Sequence, residues 1–188
     1  CTFIFEGEDL RKKKDYEKAQ ILFEKAATLF PHNLHATTYL GINLLDLKRY
    51  REAREFFVKA MDIPPSKPQP QMRYILINNI AYANTFINEP ALLDEADKYS
   101  TEALQQLPWV PSIKGTRGTV LIRQGKADEG LKLVLEAMEA HEDPRNKALN
   151  ACHAAIGEMQ RGHIEAARKY YEAARQLDSN CILLVNVE

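Results

Sequence analysis

The chain has 188 residues, 45% of them apolar, which is enough to bury a continuous core. Its 25 basic and 26 acidic residues leave a formal charge of -1, so no global field favours nucleic acid or an anionic membrane as partner. No apolar run approaches the roughly 20 residues that cross a bilayer, so we expect no direct membrane insertion. Three cysteines without Cys-x-x-Cys spacing argue against a disulfide framework and a zinc site and fit a reducing compartment; they are Cys1, Cys152 and Cys181. We therefore expect a soluble, cytoplasmic protein or the cytoplasmic part of a larger one.

Apolar periodicity and helix-stopping residues predict ten helices. In chain order they lie near residues 2 to 13, 16 to 29, 35 to 47, 50 to 62, 71 to 87, 91 to 107, 112 to 124, 127 to 140, 145 to 161 and 164 to 177. Gly125 and Gly162 fall in turns, where a positive φ costs glycine little. Residues 64 to 70 include four prolines and predict a stiff, extended connector, which is either a spacer or a functional bend.

One spacing recurs five times along these helices. A small residue is followed by an apolar or aromatic one four positions later, by Ala three after that, and by a helix stop after five more; the best copies are Ala19, Phe23, Ala26, Pro31 and Ala53, Phe57, Ala60, Pro65. The first members are 34, 43, 34 and 37 residues apart and are Ala19, Ala53, Ala96, Gly130 and Ala167. In four copies another small residue precedes the first member by twelve positions: Gly7, Gly41, Gly118 and Ala155. Paired small residues predict helical hairpins whose backbones cross closely, and the period predicts a solenoid of such hairpins.

The pattern resembles the tetratricopeptide repeat family, whose 34-residue unit has an aromatic, Leu-Gly, an aromatic, then Ala, an aromatic, Ala and Pro. The second unit carries Leu40, Gly41, Leu44, Tyr50, Ala53, Phe57, Ala60 and Pro65 at these positions. The resemblance implies an all-α fold, a right-handed superhelical solenoid of antiparallel helix hairpins. It predicts a single domain over residues 1–188, with repeats at about 1–33, 34–67, 74–110 (after the insert 64–70), 111–144 and 148–181, and the start of a capping helix at 182–188.

No catalytic, cofactor or metal site is predicted. The five histidines lie in separate contexts without the i, i+4 spacing of a helical metal pair, and Cys152 and His153 point about 100° apart on one helix. Gly115 to Gly118 lies inside a predicted helix, where it lacks the free amides of a phosphate-binding loop. We therefore predict that the chain is not an enzyme and needs no cofactor.

In the resembled family, the first helix of each hairpin lines a concave face. Carried over to this chain, that face consists of Thr38, Tyr39 and Ile42, then Asn78, Asn79 and Tyr82, then Thr116, Thr119 and Arg123, and finally His153 and Ile156, with Cys152 and Met159 beside them. Asparagine amides can both donate to and accept from a peptide backbone, and an arginine can fork onto a carboxylate. The family's clamp for chaperone-tail carboxylates is missing, because the corresponding positions hold Ile4, Glu8, Thr38 and Ile42.

These features predict a noncatalytic protein-interaction module that binds a peptide segment or partner helix in its concave groove. A competing interpretation is a self-assembling module and homo-oligomer, in which the groove or the apolar Ile182–Val185 takes up another copy. Another is a regulatory or substrate-recruiting appendage of a longer protein, because Asn78–Tyr82, Leu107–Val110 and Lys114–Gly118 faintly resemble repeat tails of site-2-type membrane metalloproteases. Trp109, between Pro108 and Pro111, is expected to be a buried plug between two hairpins.

Overall fold

A computed structural model describes residues 2–65 and 67–178, which form ten α-helices and contain no strand. The helices are α1 Thr2–Lys12, α2 Tyr16–Leu29, α3 Leu34–Asp46, α4 Tyr50–Met61, α5 Met72–Thr85, α6 Pro90–Gln106, α7 Pro111–Arg123, α8 Ala127–Ala140, α9 Pro144–Gln160 and α10 Ile164–Leu177. Every bound falls within about two residues of its predicted position, which is the usual uncertainty of helix ends. The all-α prediction is confirmed. The predicted capping helix lies outside the described residues, as do Cys1 and Cys181.

The chain divides into two compact units, Cys1–Leu92 and Leu93–Glu188, and α6 begins three residues before the boundary. In the first unit, α2 packs on α1 and α3, and α4 packs on α3 and α5. In the second, α8 packs on α7 and α9, and α10 packs on α9. Each unit is thus built from consecutive helical hairpins. That the whole chain forms one domain stays a prediction.

Small residues lie where the two helices of a hairpin cross, as the spacing predicts. A Cβ on Gly7 would lie 2.7 Å from a ring carbon of Phe23, and a Cβ on Gly41 the same distance from Phe57. Both rings are completely buried. In the second unit Gly118 meets Gly130, and a Cβ on Gly118 would lie 2.6 Å from the Gly130 carbonyl oxygen. The helices of these hairpins can cross this closely only because the side chains are absent.

In four of the hairpin turns, one residue has positive φ. This residue is Lys14 (φ 63°) before α2, Lys48 (61°) before α4, Gly125 (80°) before α8 and Gly162 (77°) before α10. The two glycines are where the sequence predicts them. Each of the four residues lies five positions before the first member of its repeat.

Polar and aromatic contacts join α2 to α3. The Asn43 side chain, fully buried, donates through Nδ2 to the Tyr16 carbonyl oxygen (3.0 Å) and to Gln20 Oε1 (2.9 Å). The ring of Tyr39 stacks on that of Phe23, with centroids 5.9 Å apart and planes 10° from parallel. The first two hairpins are therefore held together by specific bonds as well as by apolar packing.

Trp109 corrects one expectation. It is 67% exposed, in the turn between α6 and α7, so the predicted buried plug is wrong. Leu107 and Ile113, exposed by only 3% and 1%, fill the apolar positions on either side of this turn. Because they already occupy the core, the tight turn leaves the indole ring in solvent.

No helix in the described ranges is long and apolar enough to cross a membrane.

Candidate functional site

The predicted residues on α3 are partly used by the fold itself. Thr38 is 7% exposed, and its hydroxyl donates to the Leu34 carbonyl oxygen one turn earlier (2.7 Å). Tyr39 and Ile42 are half-buried, and the Tyr39 ring rests on Phe23. Burial, followed by the Glu8 carboxylate, raises the pKa of Tyr39 above its usual range, so its hydroxyl remains a hydrogen-bond donor. Of the three predicted residues on α3, Tyr39 and Ile42 are therefore the accessible ones.

On α5, an asparagine pair precedes an aromatic side chain. Asn78 is 5% exposed and its Nδ2 lies 3.4 Å from Asn79 Oδ1. Its own Oδ1 has no hydrogen-bond partner within the part of the chain that the structure describes. Asn79 and Tyr82 are half-buried and, three positions apart, share one side of the helix. A ligand on this side would meet an amide and an aromatic ring.

The Tyr82 ring belongs to an aromatic cluster that comprises Tyr50, Tyr82 and Phe86. Tyr82 meets Phe86 edge-on, with ring centroids 5.0 Å apart and planes at 61°. Phe86 stacks on Tyr50, with centroids 4.7 Å apart and planes at 20°. These are the preferred geometries of aromatic pairs, so Phe86, itself stacked on Tyr50, fixes the position of the Tyr82 ring.

The aromatic cluster borders a cationic cavity of about 330 Å³, which the sequence prediction missed. Its lining residues are Lys48, Arg49, Tyr50, Arg51, Glu52, Phe86, Ile87 and Asn88. Arg49 pairs with Glu52 through two bonds of 2.7 and 2.6 Å, and Arg51 pairs with Glu89 at 2.6 Å. The Lys48 ammonium is buried, and no hydrogen-bond partner for it lies among residues 2–65 and 67–178. The Lys48 ammonium is therefore a cationic group of the cavity that a ligand could bond to.

In the second unit, two of the predicted threonines serve their own helix. Thr116 and Thr119 are 5% and 2% exposed, and their hydroxyls donate to the carbonyl oxygens of Ser112 (3.0 Å) and Gly115 (2.8 Å). Arg123, one turn beyond Thr119 on α7, is exposed. On this helix Arg123 is the predicted site residue that solvent reaches.

The residues predicted on α9 lie beside α7, with which α9 packs. His153 is 2% exposed, and burial together with the Arg123 charge lowers its pKa from 6.5 to about 4. It is therefore a neutral imidazole at physiological pH. Ile156 is half-buried against Val134 and Ala151, and the Cys152 thiol is fully buried.

Partial exposure separates the predicted face into two sets. The accessible residues are Tyr39, Ile42, Asn79, Tyr82, Arg123 and Ile156. The buried ones, none more than 7% exposed, are Thr38, Asn78, Thr116, Thr119 and His153. All of them stay predictions as partner contacts. Among the described residues, no group of three or more His, Cys, Asp or Glu side chains is arranged to hold a metal ion.

The family model for the tetratricopeptide repeat matches residues 10–74. Protein O-mannosyl-transferase TMTC3 of Homo sapiens is 26% identical over 140 residues, which cover 71% of this chain and 15% of that protein. The Mus musculus protein of the same name matches over the same shares. The chain thus spans about 15% of the length of these curated relatives.

Solved structures share the fold. TTC0263, a thermophilic tetratricopeptide repeat protein of Thermus thermophilus, superposes with a TM-score of 0.71 at 19% identity, covering 97% of this chain and 93% of that one. YrrB, described as a tetratricopeptide repeat protein with an unusual peptide-binding site, gives 0.52 at 18% identity, covering 97% and 88%. The chain therefore shares the tetratricopeptide repeat fold with these proteins, and the family model matches its residues 10–74. The resemblance to metalloprotease tails gains no support from these comparisons.

Proposed function

We propose that the chain is a noncatalytic protein-interaction module that binds an extended peptide segment or a partner helix on the first-helix faces of its hairpins. Stacked helical hairpins offer extended binding surfaces, and the family's fold suits protein partners. The likeness to YrrB, whose title describes a peptide-binding site, is consistent with this role. We propose the cytoplasm as its location, from the cysteine pattern and charge.

The observation that carries the proposal is the fixed position of Tyr82 beside Asn79. The Tyr82 ring packs on Phe86, which stacks on Tyr50. Part of the Tyr82 side chain and part of the Asn79 side chain remain exposed to solvent. Rigid aromatic anchors lose little conformational entropy when a ligand binds, so they contribute strongly to interfaces. An amide one turn away can pair with the backbone of an extended ligand. This combination suits a peptide better than a small rigid molecule.

The cationic cavity suggests the charge of the ligand. Lys48 has no hydrogen-bond partner among the described residues, whereas Arg49 and Arg51 are each paired with a glutamate. A carboxylate entering the cavity would restore neutrality and accept charge-assisted hydrogen bonds. We therefore propose a ligand segment with an acidic side chain close to an apolar or aromatic one.

A displayed library of random peptides, panned on the full chain, tests the proposal directly. The enriched sequences should be acidic with an aromatic or large apolar residue, and should bind with micromolar affinity in fluorescence anisotropy. Tyr82→Ala and Lys48→Gln should each weaken binding about tenfold or more. Phe56→Ala is the matched control. The Phe56 ring lies on α4, outside the proposed face, and the Lys59 ammonium lies over it, 4.8 Å from the ring centroid. Failure to enrich any peptide, or equal losses in the control, would contradict the proposal.

The match to TMTC3 favours a further role for the same surface. Because the chain spans 15% of that transferase, these repeats could act within a larger protein as the part that recruits a partner or substrate. The repeats would then position the ligand while another region performs any chemistry. Recruitment can be tested by fusing the chain to an unrelated reporter enzyme and fusing an enriched peptide to that enzyme's substrate. The fused enzyme should then have a lower KM for the peptide-tagged substrate than for the untagged one, with the same kcat.

A further inference from the structure

The turn between α5 and α6 departs from the other hairpin turns. Twelve positions separate the two small residues of the first, second, fourth and fifth hairpins, whereas fifteen separate Ala81 from Ala96. The α5/α6 turn has four residues, 86–89, where those four hairpins have three. None of these four residues, all of which the structure describes, has a positive φ, although each shorter turn contains one residue that does. The third hairpin therefore carries inserted residues near this turn, and surface turns are where binding residues concentrate.

The inserted turn supplies part of the lining of the cationic cavity. Phe86, Ile87 and Asn88 line it, and the other lining residues are 48–52, around the start of α4. Ile87 is only 7% exposed and thus belongs to the core, whereas Asn88 is exposed. Asn88 can therefore be replaced without disturbing the packing of the turn.

Contacts with α4 fix the position of the turn. The Phe86 ring stacks on that of Tyr50, with centroids 4.7 Å apart, and Glu89 pairs with Arg51 at 2.6 Å. The Glu89 amide also donates to the Ile87 carbonyl oxygen, 2.8 Å away. A wall that is held in place before a ligand arrives lowers the entropic cost of binding.

The ion pair between α4 and the next hairpin turn has a counterpart in the second unit. Asp128 lies two residues before Gly130, as Arg51 lies two residues before Ala53. Asp128 pairs with Arg161, in the turn before α10, at 2.8 Å. The signs are reversed, but the link joins a second helix to the following hairpin turn in both units. The charges of such a link are used within the protein.

The remaining polar groups of the cavity are those that a ligand can use. Both lining arginines are paired with glutamates, and Glu17 and Glu24 on α2 have a smaller effect on Arg49. The Lys48 ammonium is buried and has no hydrogen-bond partner within residues 2–65 and 67–178. Asn88 adds a neutral amide to the lining. An ammonium and an amide can both donate to one carboxylate.

We propose that the α5/α6 turn selects the ligand, and that the residue at position 88 sets the charge that the cationic cavity accepts. The Asn88 amide and the Lys48 ammonium both donate to the acidic side chain of a bound peptide. An aspartate at position 88 would repel that side chain and compete for Lys48, whereas a lysine would attract it. The inference rests on the proposed peptide binding and adds the residue that determines its specificity.

NMR titration of the full chain with two capped dipeptides tests the role of Asn88. The probes are N-acetyl-Phe-Glu-amide and N-acetyl-Phe-Gln-amide, which differ in one charge and have no terminal carboxylate. The backbone amides of residues 48–52 and 86–88 should shift, with Kd values on the order of millimolar. The acidic probe should bind about tenfold more tightly than the neutral one. Asn88→Asp should lower this ratio to about one, and Asn88→Lys should raise it about threefold.

Gln71→Asp is the matched control. It adds the same charge at an exposed residue just before α5, whose 14 residues span about 20 Å and separate it from the cavity. That length is about two Debye lengths at ordinary salt, so the ratio should keep its wild-type value. Because both positions are exposed, every variant should also keep the wild-type melting temperature.

Three results would overturn the inference: a wild-type ratio in Asn88→Asp, an equal fall in Gln71→Asp, or no shift of the cavity amides at millimolar dipeptide. The proposed function is judged separately, by peptide panning and by the loss of binding in Tyr82→Ala. Peptide binding that depends on Tyr82 but keeps its charge preference in Asn88→Asp would refute the role of the turn alone. Failure of panning would instead refute the proposed function, and this inference with it.

Discussion

Gly118 and Gly130 face each other at the crossing of α7 and α8, where a Cβ on either residue would lie 2.6 Å from the carbonyl oxygen of the other. The neighbouring atoms belong to the backbone, which cannot move aside without separating the helices. A Cβ on Gly118 would also lie 2.9 Å from the Val134 amide nitrogen. This close approach fixes the geometry of the hairpin.

Replacement Gly118→Ala should therefore destabilise the protein even though alanine favours helices. The helix-propensity gain is about 1 kcal/mol, whereas overpacking of this kind costs roughly 1–3 kcal/mol or more. Because the clash involves backbone atoms, we expect a cost at the upper end of this range, which leaves a net loss of about 2 kcal/mol in urea unfolding followed by circular dichroism. Gly41→Ala is the comparison, because its Cβ meets the Phe57 ring, a side chain that can shift, and the loss there should be smaller. A Gly118→Ala variant as stable as the wild type would show that the helices can separate at little cost.

Asn43→Ala should weaken the attachment of α3 to α2. Both bonds from its Nδ2 are lost, and the Gln20 oxygen and the Tyr16 carbonyl are left without that donor. Removing one partner of buried hydrogen bonds costs about 1–3 kcal/mol, to which the small cavity adds. We expect a loss of about 3 kcal/mol in the free energy of unfolding, and faster hydrogen exchange in α1 and α2. Asn88→Ala, at an exposed asparagine, should change neither quantity.

His153 should make the protein acid-sensitive. Its pKa is 6.5 in the unfolded reference and about 4 in the fold, so the unfolded chain binds the proton first as the pH falls. Stability from this group is fully present above pH 6.5 and is lost as the pH falls from there towards 4. The loss is on the order of 3 kcal/mol. The measurement is the difference in unfolding free energy between wild type and His153→Gln across this range, since other titrating groups cancel in the difference. A difference that does not change with pH would contradict the expected burial of the imidazole.

Trp109 should report an aqueous environment. It is the single tryptophan of the sequence, so intrinsic fluorescence has one source. At 67% exposure, acrylamide should quench it almost as well as in the urea-unfolded chain, with a similar emission maximum. Blue-shifted emission protected from acrylamide would instead indicate that the ring is covered, and a concentration-dependent shift would assign the cover to another copy.

The sequence predicts the helices well because one spacing carries several independent constraints. Gly41 and Ala53 must be small for the helices to cross, Phe57 must fill the space between them, and Pro65 cannot continue the helix. These requirements are local, so they are visible without coordinates. They also fix which residues meet where two hairpins pack, such as Gln20 and Asn43, because these positions depend only on distance from the small residues.

Accessibility was harder to predict. Thr38, Thr116 and Thr119 lie on the expected helices, but they are at most 7% exposed and bond to their own backbone. The 3.6-residue period gives a helix face without saying how far the next hairpin covers it. The aromatic cluster joins Tyr50 to Phe86 across the proline-rich insert, which breaks the repeat period. No spacing rule survives that interruption, although the run Lys48-Arg49-Tyr50-Arg51 already marks a cationic surface beside an aromatic ring.

The hairpin turns offer a practical consequence for protein engineering. Lysine and glycine occupy one equivalent position, at Lys14 and Lys48 in one unit and at Gly125 and Gly162 in the other, with the same backbone conformation. The left-handed conformation costs a residue with a side chain roughly 1–2 kcal/mol more than it costs glycine. The lysine turns are thus places where strain can be relieved by one substitution without altering the path of the chain. A library of shuffled hairpins could treat this position as a common splice point and vary binding surfaces on either side of it.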